Sequence, residues 1–310
     1  MSARMDIFDP RVAPVVRGMT FEKLCTGAVW GEGPVWLDNT QSLLWSDIPN
    51  NRMLSWNETE GLSVWADQVE FTNGHCLDND GSLLHCSHGQ RAVVRTPLVN
   101  GQLKRDTPMQ VVVDRYQDKR LNSPNDVVVK RNGSIWFTDP PYGILSDREG
   151  HQATPEQAAN HVFRFDPKTQ SLQAATDWLD EPNGLAFSPD EKRLYVSDTS
   201  AALRPAGQGH HHIVVFEVDE QDQLNHPRVF ADINPGLADG FRIDAQGWLY
   251  TSSEDSVQIY HPDGSHMAKL YVPEKVGNLT FGGRLRNQLY VVASSSLYRI
   301  TLNTQGNPSV

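Results

Sequence analysis

Five side chains bearing oxygen donors stand in one register of this sequence. Glu32, Asn73, Asn125, Asn183 and Asp239 each lie seven residues before a turn position, at 39, 80, 132, 190 and 246, and Asn278 lies eight before 286. One such residue ahead of a strand is ordinarily a turn residue bonded to its own backbone; five in the same slot are a set of hard oxygen ligands. Calcium takes about six to eight oxygens and tolerates mixed acid and amide donors. A single divalent ion is therefore the expected cofactor, Ca2+ first, with Mn2+, Mg2+ or Zn2+ as substitutes. No cysteine occupies the slot, which excludes a thiolate zinc centre.

The elements that must position these residues are strands. The turns Asp38-Asn39, Asn79-Asp80-Gly81, Arg131-Asn132-Gly133, Pro189-Asp190-Glu191, Ala245-Gln246-Gly247 and Arg286-Asn287 each separate two apolar runs, such as Val127-Val128-Val129 and Ile135-Trp136-Phe137. A hairpin recurring about every 40 to 60 residues is the signature of propeller blades. The expected fold is all-β, a six-bladed β-propeller with a metal ion in the central channel. Residues 1–20 are read as an N-terminal extension and 21–310 as the single propeller domain. Phe21 to Cys25 is expected to pair with the last blade and close the ring, which removes open sheet edges. Thr154 to Asn160 is the one stretch expected to be a short helix.

In a propeller the first strand of each blade lines the channel, so the slot residues form a ring at one mouth. The second strand returns to that mouth and carries Asp47, His88, Asp198, Glu254 and Ser294 eight residues past the turn, with Asp139 at seven. These are expected around the ring as outer contacts, His88 and Asp139 foremost for substrate. Asn73 is expected to touch substrate, as is His75, two residues further on and pointing into the same channel. Tyr142, in the loop after Asp139, is expected to border the pocket. The insertions Pro140 to Asn160 and Thr199 to Gly209 are expected to set substrate choice.

Other chemistries find no support. The 27 Lys and Arg against 38 Asp and Glu give a formal charge of -11, which repels nucleic acid. No apolar run of about 18 residues spans a bilayer, and Met1 to Thr20 lacks the apolar core of a secretory signal; a cytoplasmic location is expected. Cys25, Cys76 and Cys86 form no disulfide framework and no Cys-x-x-Cys pair. Neither a Gly-x-Ser-x-Gly elbow nor a His-Glu-x-x-His helix is present. Gly31-Glu32-Gly33 runs into Pro34 and a strand, which rules out a dinucleotide loop. Asp78-Asn79-Asp80-Gly81 has Gly89 where an EF-hand needs its glutamate. His210-His211-His212 reads as an exposed loop.

Gly31-Glu32-Gly33-Pro34-Val35-Trp36, Ser123-Pro124-Asn125-Asp126, Pro182-Asn183-Gly184-Leu185 and Ala238-Asp239-Gly240, in that order, resemble the successive motifs of the SMP-30, gluconolactonase and luciferin-regenerating-enzyme family. Trp136-Phe137-Thr138-Asp139-Pro140-Pro141-Tyr142-Gly143 is similar to bacterial gluconolactonases. The resemblance spans about Cys25 to Ile300. It implies a six-bladed propeller holding calcium or a related ion and hydrolysing a sugar lactone of the gluconolactone type. It further implies Glu32, Asn183 and Asp239 as metal ligands, Asn125 as ligand or close substrate contact, and Asp239 as general base. Animal members carry an arginine two positions before the matched asparagine, where this chain has Ser123; the sugar contact at Ser123 is thus the point of departure.

Lactone hydrolysis needs a polarised carbonyl, a water nucleophile and a home for the oxyanion. A metal with an open position supplies the first and third, and Asp239, assisted by Asn125, is expected to take the proton from water. Two alternatives stand beside this reading: a broader lactonase or arylesterase of the paraoxonase type using His75 or His88, and a non-catalytic propeller braced by its ion. The oligomeric state has no signal in the sequence.

Overall fold

The computed structural model describes residues 4–307. Six antiparallel sheets radiate around a central channel, as the recurring hairpins predict. Their innermost strands are Gly31–Leu37, Thr72–Leu77, Val127–Val129, Pro182–Phe187, Phe241–Ile243 and Val276–Gly282. In the first four blades, and in the inner four strands of the fifth, the strands follow in chain order from channel to rim. The sixth takes its outermost strand, Glu22–Thr26, from the start of the propeller, paired with Ser296–Thr301. The ring is therefore closed by hydrogen bonds between the two ends of the sequence.

Side chains alternate across each strand, and here both faces of every sheet meet a neighbouring sheet. Ile135 and Phe137 enter the apolar seam between the second and third blades, whereas Trp136 between them enters the seam between the third and fourth. This double burial explains why the strands read as nearly continuous apolar runs. Each of the six seams carries its own apolar cluster.

Residues 4–20 do not hang free. Met5–Ile7 adds a fifth strand to the fifth blade, against His266–Tyr271, and Val12, Val15 and Val16 are buried in the seam between the fifth and sixth blades. The helix expected at Thr154 to Asn160 does not form. Seven residues barely repay helix nucleation, and the side chains there bond elsewhere: Glu156 accepts the Arg120 N–H at 2.8 Å, and Gln157 donates to the carbonyls of Tyr116, Lys119 and Arg120. The three cysteines are free. Among the described residues no helix is long and apolar enough to cross a membrane.

Candidate functional site

Four of the innermost strands enter the channel through a break in register, between Glu32 and Val35, Thr72 and His75, Pro182 and Leu185, and Val276 and Asn278. A bulge of this kind re-aims one side chain while the strand continues. At each break stands a slot residue, and three of the four, Glu32, Asn73 and Asn183, line the channel mouth. Glu32, Asn73, Asn125, Asn183 and Asp239 line one cavity of about 170 Å³ there. Trp30, Ile48, His88, Tyr142, Glu149, Thr199, Ala202, Leu237 and Lys275 complete its walls. A larger hollow of about 790 Å³ opens between the first and second blades. Its ionisable residues, Asp38, Glu60 and Arg105, are tied up in surface ion pairs, so the chemistry lies in the smaller cavity.

At the base of that cavity the Glu32 and Asp239 carboxyl groups touch within hydrogen-bonding reach. Burial, and then the charge of Asp239, push Glu32 well above the usual carboxylate range; burial raises Asp239 to about 6. Glu32 Oε2 accepts from the Gly33 N–H at 3.2 Å and from Asn278 Nδ2 at 3.1 Å, whereas its Oε1 is buried with no partner. Across that oxygen lies Gly277, where a Cβ would approach it to 2.6 Å. Asn278 is used at both ends, its Oδ1 accepting the Leu279 N–H at 2.8 Å. It holds Glu32 in place and lies outside the cavity lining.

Two buried carboxylates in contact are repulsive unless a proton or a cation lies between them. The neighbouring donors are amides. Asn183 donates to Thr199 Oγ1 at 3.3 Å and lies against Asp239, and the Asn125 side chain makes no hydrogen bond to another described residue. Among the described residues no three His, Cys, Asp or Glu side chains gather as a metal-binding group; this donor set consists of two acids and several amides. Such a set, one of whose carboxylate oxygens is buried and unpartnered, fits a hard cation such as Ca2+ and does not fit one that demands imidazole or thiolate.

His88 faces the cavity with its protonation fixed by its partners. Its Nδ1 lies 2.8 Å from the Glu149 carbonyl, an acceptor, so Nδ1 carries the hydrogen and Nε2 takes one from Asn73 Nδ2 at 3.2 Å. Burial pulls its pKa down to about 4. The ring is neutral, and its lone pair is occupied. Tyr142 lines the cavity with its hydroxyl bonded to Thr199 Oγ1 at 2.6 Å.

Three residues expected in the pocket stand elsewhere. His75 is sealed in the channel below, bonded to Ser46 Oγ at 2.8 Å and to His85 Nδ1 at 2.9 Å. The bulge before it reverses strand parity, so two residues past Asn73 is no longer the same face. Ser123 is fully buried; it donates to the Pro140 carbonyl at 2.7 Å and accepts the Gly143 N–H at 2.9 Å, holding the loop that carries Tyr142. Asp139 accepts the Asn122 N–H at 2.8 Å, and burial raises it to about 7. Asp47 and Asp198 do the same for the N–H groups of Val29 and Asp180, each at 2.8 Å. Val29, Asn122 and Asp180 each lie three residues before a slot residue. These aspartates therefore fix the backbone that delivers Glu32, Asn125 and Asn183, and none of them lines the cavity.

Other residues of the cavity carry no periodic signal in the sequence. Glu149 and Thr199 come from the two insertions, Trp30, Leu237 and Lys275 from the segments entering three blades. Lys275 bonds Glu254 at 3.2 Å and lies over the Trp30 ring at 5.7 Å. Glu149 lines the cavity half-buried, its carbonyl bonded to His88.

The chain is 32% identical to the gluconolactonase of Zymomonas mobilis over 96% of this chain and 86% of that protein. A solved gluconolactonase from Xanthomonas campestris superposes with a TM-score of 0.86 at 38% identity, covering 97% of this chain and 96% of the other. A regucalcin of Agrobacterium tumefaciens, described as a calcium-binding protein, shares the fold at a TM-score of 0.73 and 18% identity, over 93% of this chain and 95% of that one. The family profile described as SMP-30/Gluconolactonase/LRE-like region matches residues 30–295. By its ring, its motifs and these matches, the chain belongs to the SMP-30/Gluconolactonase/LRE-like family.

Proposed function

We propose that this protein hydrolyses a sugar lactone of the gluconolactone type at the channel mouth, with a divalent cation, Ca2+ foremost, held by Glu32, Asn183, Asp239 and Asn125. The observation that carries the reading is the buried Glu32 carboxyl group, set against Asp239 with its Oε1 unpartnered, in the cavity of a chain whose relatives include named gluconolactonases. The calcium-binding description of the regucalcin relative supports the choice of ion. When bound, the cation supplies a Lewis acid for the lactone carbonyl and charge balance for the oxyanion.

The remaining work falls to side chains. Asp239, raised by burial toward neutral pH, accepts a proton from the attacking water as its oxygen bonds to the carbonyl carbon. The ring carbon–oxygen ester bond then breaks, and Asp239 returns the proton to the departing alkoxide, leaving the open hydroxy acid. Asn125 and Asn73 present amides to the substrate, while Glu149 and Tyr142 offer oxygens to its hydroxyls. Trp30, Ile48 and Leu237 give the sugar ring apolar surface and exclude water. A histidine-driven reading of the paraoxonase type is disfavoured: His75 is sealed below the site, and the His88 lone pair is occupied by Asn73.

The deciding experiment assays sugar lactones, aliphatic lactones and aryl esters, with and without a chelator. Turnover confined to sugar lactones, abolished by the chelator and restored by Ca2+, is expected. Undiminished hydrolysis in excess chelator would remove the cation from the reading, and inertness toward every lactone would remove the lactonase.

A stability prediction follows from the same carboxyl groups. Their pKa values in the folded, cation-free protein lie above the ordinary value near 4, so holding protons stabilises the fold fully below about pH 4. That contribution is lost as pH rises through about 6 and beyond. The chelated protein is expected to melt at lower temperature as pH goes from about 4 to about 7, and the gain on adding Ca2+ to grow over the same range. A gain independent of pH, read by calorimetry, would contradict it.

A further inference from the structure

Beneath the ring of donors the channel holds a second, opposed pair of charges. Asp126 follows the slot residue Asn125 on the third blade, and Arg242 belongs to the innermost strand of the fifth. Arg242 Nη1 stands 3.7 Å from Asp126 Oδ2, with the two side chains only 6% and 3% exposed. Because the third and fifth blades are not neighbours, this pair spans the channel itself. Asp126 Oδ1 accepts the Val127 N–H at 2.9 Å, while Oδ2 has no hydrogen-bond partner. Arg242 Nη1 also donates to the Phe241 carbonyl at 2.8 Å and lines the narrow lower channel with Trp36, His75, Val127 and Phe281. His75 there is bonded to His85 and neutral, burial holding it well below its usual range. The charge of Asp126 is felt at Glu32, one layer above.

A buried ion pair of this kind contributes little net stability compared with an apolar replacement. What it changes is the potential above it, since charges interact strongly over several ångströms in a poorly screened interior. We infer that Arg242 is a positioning residue for the ring: its fixed charge cancels Asp126, so that the layer beneath adds no net charge to the Glu32 and Asp239 pair, which stays matched to a divalent ion. The inference rests on the cation reading above. Without Arg242 the layer beneath would add the charge of Asp126 to that pair and favour a trivalent ion.

The test is a cycle on the full chain at pH 8, with Ca2+ binding by titration calorimetry and Tb3+ binding by luminescence sensitised through Trp30, which lines the cavity. Asp126→Asn leaves Arg242 uncompensated and is expected to weaken Ca2+ binding by about tenfold or more. Arg242→Met is expected to tighten it by a similar factor, and to tighten Tb3+ binding by more than Ca2+ binding. The double variant and Arg242→Lys are expected to stay within about threefold of the unaltered protein. A merely structural pair would shift both single variants in the same direction or neither, and either result overturns the inference. Should a single variant fail to fold, the double variant and Arg242→Lys decide, since neither leaves a buried charge unpaired; weakened binding in both would overturn it. Glu32→Gln tests the underlying reading separately: binding by the unaltered protein that survives this change would remove the ring as the cation site, whatever the cycle shows.

Discussion

Asp239→Asn is expected to lower kcat for a sugar lactone by at least about a thousandfold while leaving the fold intact. Loss of a general base alone costs roughly a hundred- to ten-thousandfold, and this change also removes one of the two charges proposed to hold the cation. The backbone of Asp239 is anchored independently of its carboxylate, its N–H donating to Ser252 Oγ at 2.8 Å and its carbonyl accepting the Gly184 N–H at 3.0 Å. An asparagine therefore fits the same position. With one of two touching carboxylates neutralised, the chelated variant is expected to melt higher than the unaltered protein at pH 8. A loss of activity coupled to a gain in stability marks a residue kept for chemistry at the expense of the fold. Retention of more than about one-tenth of the activity would refute the assignment, and a lower melting temperature would refute the electrostatic account.

Gly33→Ala is expected to cost about 3 kcal/mol or more and to abolish cation binding with it. Gly33 lies in the left-handed region at φ +57°, and a Cβ there would sit 2.1 Å from the Asn73 carbonyl oxygen and 2.7 Å from Gly74 Cα. Backbone of the adjacent innermost strand cannot yield as a side-chain tip would. Relief of the overlap has to push the first two blades apart at the bulge that aims Glu32. Gly61 supplies the contrast: at φ +67° it has nothing within 4 Å of the same position. Gly61→Ala is expected to cost only the conformational strain, about 1 kcal/mol. Urea unfolding of the two variants side by side measures the difference, and equal losses would place the effect in backbone conformation alone.

The blades and the ring were readable because both repeat. Turn residues punctuate each hairpin, and Glu32, Asn73, Asn125, Asn183 and Asp239 keep one distance from those turns, so counting was enough to bring them to one mouth. Counting failed where a local irregularity changed the face of a strand. His75 obeys the period of two from Asn73, yet the bulge between Thr72 and His75 cancels that period and buries the ring among Ser46 and His85. Asp139 illustrates a different failure: its strand returns to the mouth, but its carboxylate is buried against the Asn122 N–H and outside the cavity lining. Glu149, Lys275 and Trp30 had no period to betray them. Their placement depends on loop conformation, including the hydrogen bond from His88 to the Glu149 carbonyl, which no sequence pattern encodes.

The seam that closes the propeller has a consequence for the order of events during synthesis. Glu22–Thr26 waits for Ser296–Thr301, and Glu32, among the earliest residues of the site to be made, waits for Asn278 to hold its carboxylate. A nascent chain lacking the last blade has five sheets, an open ring and an unanchored glutamate. Long-range closure of this type is slow and comes late. Competence to bind the proposed cation would thus be a report that translation has reached the final blade.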